Sequence, residues 1–181
     1  MTKIFYTTEK IPASEFLQDV LRTSLGITAP LSKSDAGKPY LPGGEAFFSA
    51  SDSTGMTAAA FSDRPIGFDI ECTEKQREYS AIYRRMTEAE RREIHSLEDF
   101  LAHWTAWESY VKLLGSTLSR HFRHLEFSGG ALRRDGVILP VTVTQGSILG
   151  GRYVWSLCQS RTPENPADPD GECPQIIPIA P

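Results

Sequence analysis

The 181-residue chain is 40% hydrophobic and 23% charged, which excludes disorder along its whole length and suits one compact domain or two small lobes. No run approaches the ~18–20 apolar residues that a membrane span needs. Four acids (Glu164, Asp168, Asp170, Glu172) and no base follow Arg161, so the remaining 19 of 23 acids face all 19 Lys and Arg within residues 1–161. A body that is neutral overall lacks the basic excess of a nucleic-acid binder.

Residues 3–7 read as a short strand. Residues 13–25 place Phe16, Leu17, Val20, Leu21 and Leu25 on one helical face, with Gly26 as the stop. A loop rich in Pro, Gly, Ser and Asp runs to Glu45. Three short apolar segments follow, 46–51, 57–61 and 66–70, whose spacing predicts a strand meander. Thr87-Glu-Ala-Glu90 is a capping box that opens a helix over 88–95, and Ser96-Leu-Glu-Asp99 opens a longer one that ends at Leu114 before Gly115. Strands are then expected at 124–127, 131–133, 137–144 and 153–158, with Gly129-Gly130 and Asp135-Gly136 as turns.

From Gln159 onward lie six of the twelve prolines and no apolar period, which predicts a loose or surface-strapped tail outside the core. Cys72, Cys158 and Cys173 are odd in number and widely spaced. That fits neither a disulfide framework nor a zinc site and predicts a reducing, cytoplasmic compartment. The order of elements predicts an α+β chain in two lobes, 1–66 and 67–158, with residues 159–181 as a Pro-rich acidic tail.

Two places can carry chemistry. With Trp104 set at zero and 100° per residue, Leu97, Phe100, Leu101, Trp107 and Val111 fall within about 60° of it, and Glu108 falls at about 40°, inside the same apolar face. A carboxylate there costs several kcal/mol unless a cation or metal meets it. Lys112 stands at i+4; a snorkelling surface pair is the plainer alternative. In Gly67-Phe-Asp-Ile-Glu71, a strand would project Asp69 and Glu71 from one face and Phe68 and Ile70 from the other. A solvent-facing sheet edge accounts for that pentapeptide, and so does a pair of ligands for a hard divalent cation such as Mg²⁺. Taken with the inward Glu108, a three-carboxylate cluster is the more economical account.

Gly67-Phe-Asp-Ile-Glu71, followed by Trp104-Thr-Ala-Trp-Glu-Ser-Tyr-Val-Lys112, resembles the two signature motifs of 4′-phosphopantetheinyl transferases, G-[IV]-D-[IV]-E and W-x-x-K-E-x-x-x-K. Gly37-Lys38-Pro39 is similar to the family's G-K-P element, and Phe48-Ser49-Ala50-Ser51 stands where F-x-S-H-S is expected. Either signature alone is weak, but this order and spacing are specific. The resemblance implies two similar α+β lobes related by a pseudo-two-fold, as in the two-lobed bacterial type, with coenzyme A between them. It implies transfer of the phosphopantetheine arm of coenzyme A to a serine of an acyl or peptidyl carrier protein in fatty acid, polyketide or nonribosomal peptide synthesis. No nucleic-acid or membrane partner is expected, and the transferase is expected to act as a monomer.

By the same resemblance, Asp69, Glu71 and Glu108 would hold Mg²⁺. Glu108, or a metal-bound water that it orients, would also take the serine proton, and Lys112 would neutralise charge developing at the phosphates. Lys38, Ser49 and Ser51 would contact coenzyme A. Two positions depart from the pattern. Ala50 replaces the motif histidine, and Trp107 puts an indole where the first motif lysine's ammonium would sit; Lys33, Arg64, Arg84 and Arg85 are cations available to compensate. These departures motivate the alternative of a non-catalytic relative that binds coenzyme A or a carrier protein. An α+β interaction module without a small-molecule site requires the motif match to be coincidence.

The four histidines show no ligand spacing with carboxylates. Arg84-Arg85 and Arg91-Arg92, alternating with Glu88, Glu90 and Glu93, predict a solvated helical face that could steer an acidic carrier protein.

Overall fold

A computed structural model describes residues 1–34, 37–75, 78–161 and 173–179. The chain opens with β1 (Lys3–Thr7) and α1 (Ala13–Ser24), then the two-residue strands β2 (Ser32–Lys33) and β3 (Pro39–Tyr40). β4 (Phe47–Ser53), β5 (Met56–Ser62) and β6 (Ile66–Cys72) lead to α2 (Ser80–Tyr83), α3 (Glu88–Glu93), α4 (Leu97–Leu113) and α5 (Leu118–His121). The remaining strands are β7 (Leu125–Ser128), β8 (Ala131–Arg134), β9 (Val137–Ile138), β10 (Val141–Ile148), β11 (Tyr153–Ser160) and β12 (Gln175–Pro178). The fold is mixed α+β, and among the described residues no helix is long and apolar enough to cross a membrane.

The first sheet has the order β12-β1-β5-β4, and α1 covers it by burying Phe16, Leu17, Val20 and Leu21 against Phe5, Phe48 and Phe61. Gly26 stops α1 by taking φ +69°, which lets Ile27 N–H reach the Leu21 carbonyl at 2.8 Å. The expected meander is only half formed. β4 and β5 make an antiparallel hairpin, but β6 leaves them to pair with β11 in a second sheet, β10-β11-β6. β6 is buried along its whole length and needs cover on both faces, which an edge of the first sheet cannot supply. One core cluster accordingly joins Ile4, Met56 and Ala58 to Phe68, Ile70 and Trp155, and the expected boundary at 66/67 falls inside β6.

α4 lies directly on β6 and β11. Gly67 permits this, since a Cβ there would come 1.9 Å from the Ser109 carbonyl oxygen and 2.4 Å from Leu113 N. Thr105 and Ser156 share a buried hydroxyl contact of 2.7 Å between α4 and β11. The α3 capping box forms as read, Thr87 Oγ1 accepting from Glu90 N–H and Glu90 Oε2 from Thr87 N–H. Glu90 is nevertheless fully buried, because its other oxygen accepts Phe127 N–H at 2.8 Å; it does not belong to a solvated charge face.

Two further expectations change. The strand read over 137–144 splits at Leu139-Pro140 into β9, which pairs with β8, and β10, which pairs with β11. Pro140 has no N–H to give a ladder. The expected tail also carries order. Gln159 and Ser160 finish β11, and β12 pairs in parallel with β1, Lys3 opposite Gln175, while Ile177 and Ile179 pack on the α1 cluster. Residues 162–172 and 180–181 of that segment lie outside the described residues.

Candidate active site

β6 delivers Asp69 and Glu71 on one face, 5% and 9% exposed, while Phe68 and Ile70 enter the core on the other. The strand alternation expected from the pentapeptide holds, and the solvent-facing alternative does not. α4 brings Glu108 toward this pair. Burial raises the Glu108 carboxyl first and Asp69 next; Lys112 opposes them, Glu71 adds to them, and the result is pushed up to about 7. The three carboxylates are thus electrostatic neighbours, an excess of negative charge that one lysine does not fully offset.

Lys112 meets Asp69 rather than pairing with Glu108 along the helix. Its Nζ donates to Asp69 Oδ1 at 2.7 Å and reaches the Ala50 carbonyl at 3.4 Å. Ser51 Oγ donates to the same Asp69 oxygen at 2.7 Å, and Ser53 Oγ donates to Glu71 Oε2 at 2.9 Å. Ser49 Oγ accepts Phe68 N–H at 3.0 Å. Ser53 is a site residue that motif reading missed. Its signal was available, since Ser49, Ser51 and Ser53 are i, i+2 and i+4 on one strand.

Lys38 donates to the Ile66 carbonyl at 3.1 Å and the Lys112 carbonyl at 2.7 Å, a cation on the last turn of α4, and burial lowers its pKa. It also borders a cleft of about 440 Å³ between α1, β4 and the end of α4, together with Lys33, Ser49, Ala50, Lys112 and Ser116. This cleft gathers Lys33, Lys38, Ser49 and Lys112; Asp69, Glu71, Ser51 and Glu108 do not line it.

Trp107 does not sit where an ammonium would meet the carboxylates. It is 1% exposed in the core with Phe100, Leu125 and Val154, edge-on to Phe122 at 5.0 Å. One helical position from Glu108 turns the side chain by about 100°, enough to change face. Two histidines do meet carboxylates. His103 Nε2 lies 3.3 Å from Glu93 Oε2, and His124 Nδ1 lies 2.7 Å from Asp135 Oδ1. Arg92 pairs with Glu88 as a surface pair would, and Arg85 stacks over Phe122 at 5.5 Å.

The donor set suits a hard divalent cation: the buried Asp69 and Glu71 and the half-buried Glu108 are carboxylates whose repulsion a cation would relieve. Among the described residues, no three His, Cys, Asp or Glu side chains stand close enough together to hold a metal ion. Lys112 on Asp69 supplies positive charge there instead.

No match was found among curated proteins. A family model described as 4′-phosphopantetheinyl transferase superfamily matches residues 65–158, a span that holds β6, α4 and every carboxylate of the cluster. The chain therefore belongs to the 4′-phosphopantetheinyl transferase superfamily.

Proposed function

We propose that the protein transfers the 4′-phosphopantetheine arm of coenzyme A to a serine of an acyl or peptidyl carrier protein. The observation that carries this reading is the ion pair of Lys112 with buried Asp69, which ties the second motif on α4 to the first on β6. The serine oxygen forms a bond to the pantetheine-side phosphorus of the pyrophosphate. The bond from that phosphorus to the bridging oxygen breaks, and adenosine 3′,5′-bisphosphate leaves. Glu108, on α4 beside the β6 carboxylates, takes the serine proton as general base. Lys112 offsets negative charge at the phosphates as the leaving group departs.

Asp69, Glu71 and Glu108 would hold Mg²⁺, which when bound supplies charge stabilisation to the pyrophosphate. The cleft beside Lys33, Lys38, Ser49 and Lys112, between α1, β4 and the end of α4, takes coenzyme A. Ser51, whose hydroxyl is committed to Asp69, acts on the carboxylate rather than on the cofactor. Arg85, Arg120 and Arg123, in and beside the acid-free stretch that follows α4, give an acidic carrier protein a complementary surface.

The second reading, a non-catalytic binder of coenzyme A or a carrier protein, has two observations in its favour. Ala50 offers the cleft no side-chain donor, and both of the Lys38 bonds go to backbone carbonyls. Intact mass of apo carrier proteins from fatty acid, polyketide and peptide systems, after incubation with the protein, coenzyme A and Mg²⁺, separates the two. Transfer adds one phosphopantetheine arm. No addition to any carrier, where a control transferase modifies them all, supports the binder.

A further inference from the structure

The serines of β4 join two sheets that share no backbone ladder. β4 is the edge of one sheet and β6 the edge of the other. Ser49, Ser51 and Ser53 are 5%, 7% and 7% exposed, and all three reach across to β6. Ser49 Oγ accepts Phe68 N–H and Ser53 Oγ accepts Cys72 N–H, each at 3.0 Å, so backbone groups four residues apart on β6 are satisfied by hydroxyls two strand repeats apart on β4. Those two bonds satisfy backbone groups of β6 across the splice, beside the core cluster the two sheets share.

Ser51 is different. Among the described residues it caps no backbone group of β6; its hydroxyl donates to Asp69 Oδ1 at 2.7 Å. Ser53 does both tasks, accepting from Cys72 N–H and giving its single proton to Glu71 Oε2 at 2.9 Å. A hydroxyl donating to a buried carboxylate is a charge-assisted bond, roughly twice as strong as a neutral one. At Asp69 it lands on the oxygen that Lys112 also holds, so two donors fix the rotation of one carboxylate and with it the direction of Oδ2.

We propose that Ser51 and Ser53 are positioning residues: from β4 they orient the Asp69 and Glu71 carboxylates of β6 for a divalent cation. The proposal rests on the reading of Asp69 and Glu71 as metal ligands. Hydrogen-bond partners behind metal ligands set ligand orientation, and losing one typically weakens metal affinity 10–100-fold. The first half of the chain thus takes part in the metal site without contributing a ligand, which explains why alternate positions of β4 are serine where a buried strand would ordinarily be apolar.

The test is Mn²⁺ binding to the full chain, followed by electron paramagnetic resonance, with thermal unfolding recorded on the same samples. Ser51→Ala is expected to weaken Mn²⁺ binding by about 10–100-fold, and Ser51→Thr, which keeps the hydroxyl, to restore most of it. Ser156→Ala removes a buried hydroxyl that stands opposite Asp69 in the β6–β11 ladder but bonds Thr105 and Gln145, not the carboxylate; it is expected to lower the melting temperature while leaving Mn²⁺ affinity in place. Ser51→Ala binding Mn²⁺ as the wild type does overturns the positioning role and leaves the ligand reading standing. Equal loss of affinity in Ser51→Ala and Ser156→Ala overturns it in favour of a structural role. Wild type and Asp69→Asn binding alike overturns the ligand reading and the proposal together.

Discussion

Replacing Glu108 with Gln should make the metal-free protein more stable at pH 8, although it removes a residue assigned to the active site. In the folded chain the Glu108 carboxyl sits at about 7 against its ordinary 4.5, chiefly through burial and then Asp69. Between those values the folded state binds a proton that the unfolded state has released. Stability therefore falls as pH rises from 4.5 to about 7, and the full penalty is present above 7. A fully sequestered group moved that far would carry about 3 kcal/mol; partial solvent contact reduces this to roughly 1–2 kcal/mol.

Gln keeps the shape and loses the charge, so Glu108→Gln should gain that amount at pH 8, about 2–8 °C in Tm for a chain of this size, and little at pH 5. Glu90, also raised by burial, and Asp99, lowered by the His95 N–H and Ser96, tilt both proteins alike and drop out of the difference. Thermal unfolding in chelator across pH 5–8 measures it. A variant less stable than wild type at pH 8, or a difference that does not change with pH, refutes the electrostatic account of the cluster.

Gly67→Ala should destabilise by about 3 kcal/mol or more in urea titration, because its Cβ would overlap the Ser109 carbonyl at 1.9 Å and push α4 off β6. Trp107→Lys, which restores the motif residue, should not repair a phosphate contact; it places an ammonium in a filled core and should cost at least about 3 kcal/mol, read from the same titration. Ending the chain after Arg161 removes β12, uncovers the β1 edge and exposes the α1 cluster beside Ile177 and Ile179. We expect Tm to fall by several degrees and light scattering to report self-association.

The parts of the site that depend on local periodicity were legible in the sequence. Asp69 and Glu71 share a face because strands alternate, and Thr87 and Ser96 cap the helices their spacing announces; Glu108 is only half-buried, because the buried side of α4 is centred on Trp107 and Val111 rather than on Trp104. What was hidden depends on partners far away in the chain. β6 pairs with β11, so nothing near residue 66 marks its departure from the hairpin. Lys112 chooses Asp69 over its own helix because Asp69 is buried beside it, and Glu90 leaves solvent because Phe127 N–H needs an acceptor. The 3.6-residue repeat places Trp107 with Phe100, Leu101 and Val111, where it does pack; the motif alignment that set it at the phosphates is what fails. The strand at 175–178 has no amphipathic alternation to reveal it, since its place comes from the open edge of β1.

That edge has a consequence in time. Lys3 lies opposite Gln175 and Tyr6 opposite Pro178, so β1 waits for a strand synthesised 172 residues after it. At ordinary rates of synthesis the interval is on the order of ten seconds, far longer than a hairpin such as β4–β5 takes to close. Throughout that interval β1 presents unpaired backbone along one side. The nascent chain is then most open to strand addition by another molecule, and a holdase that shields extended apolar edges would act on it during that window and not after β12 has docked.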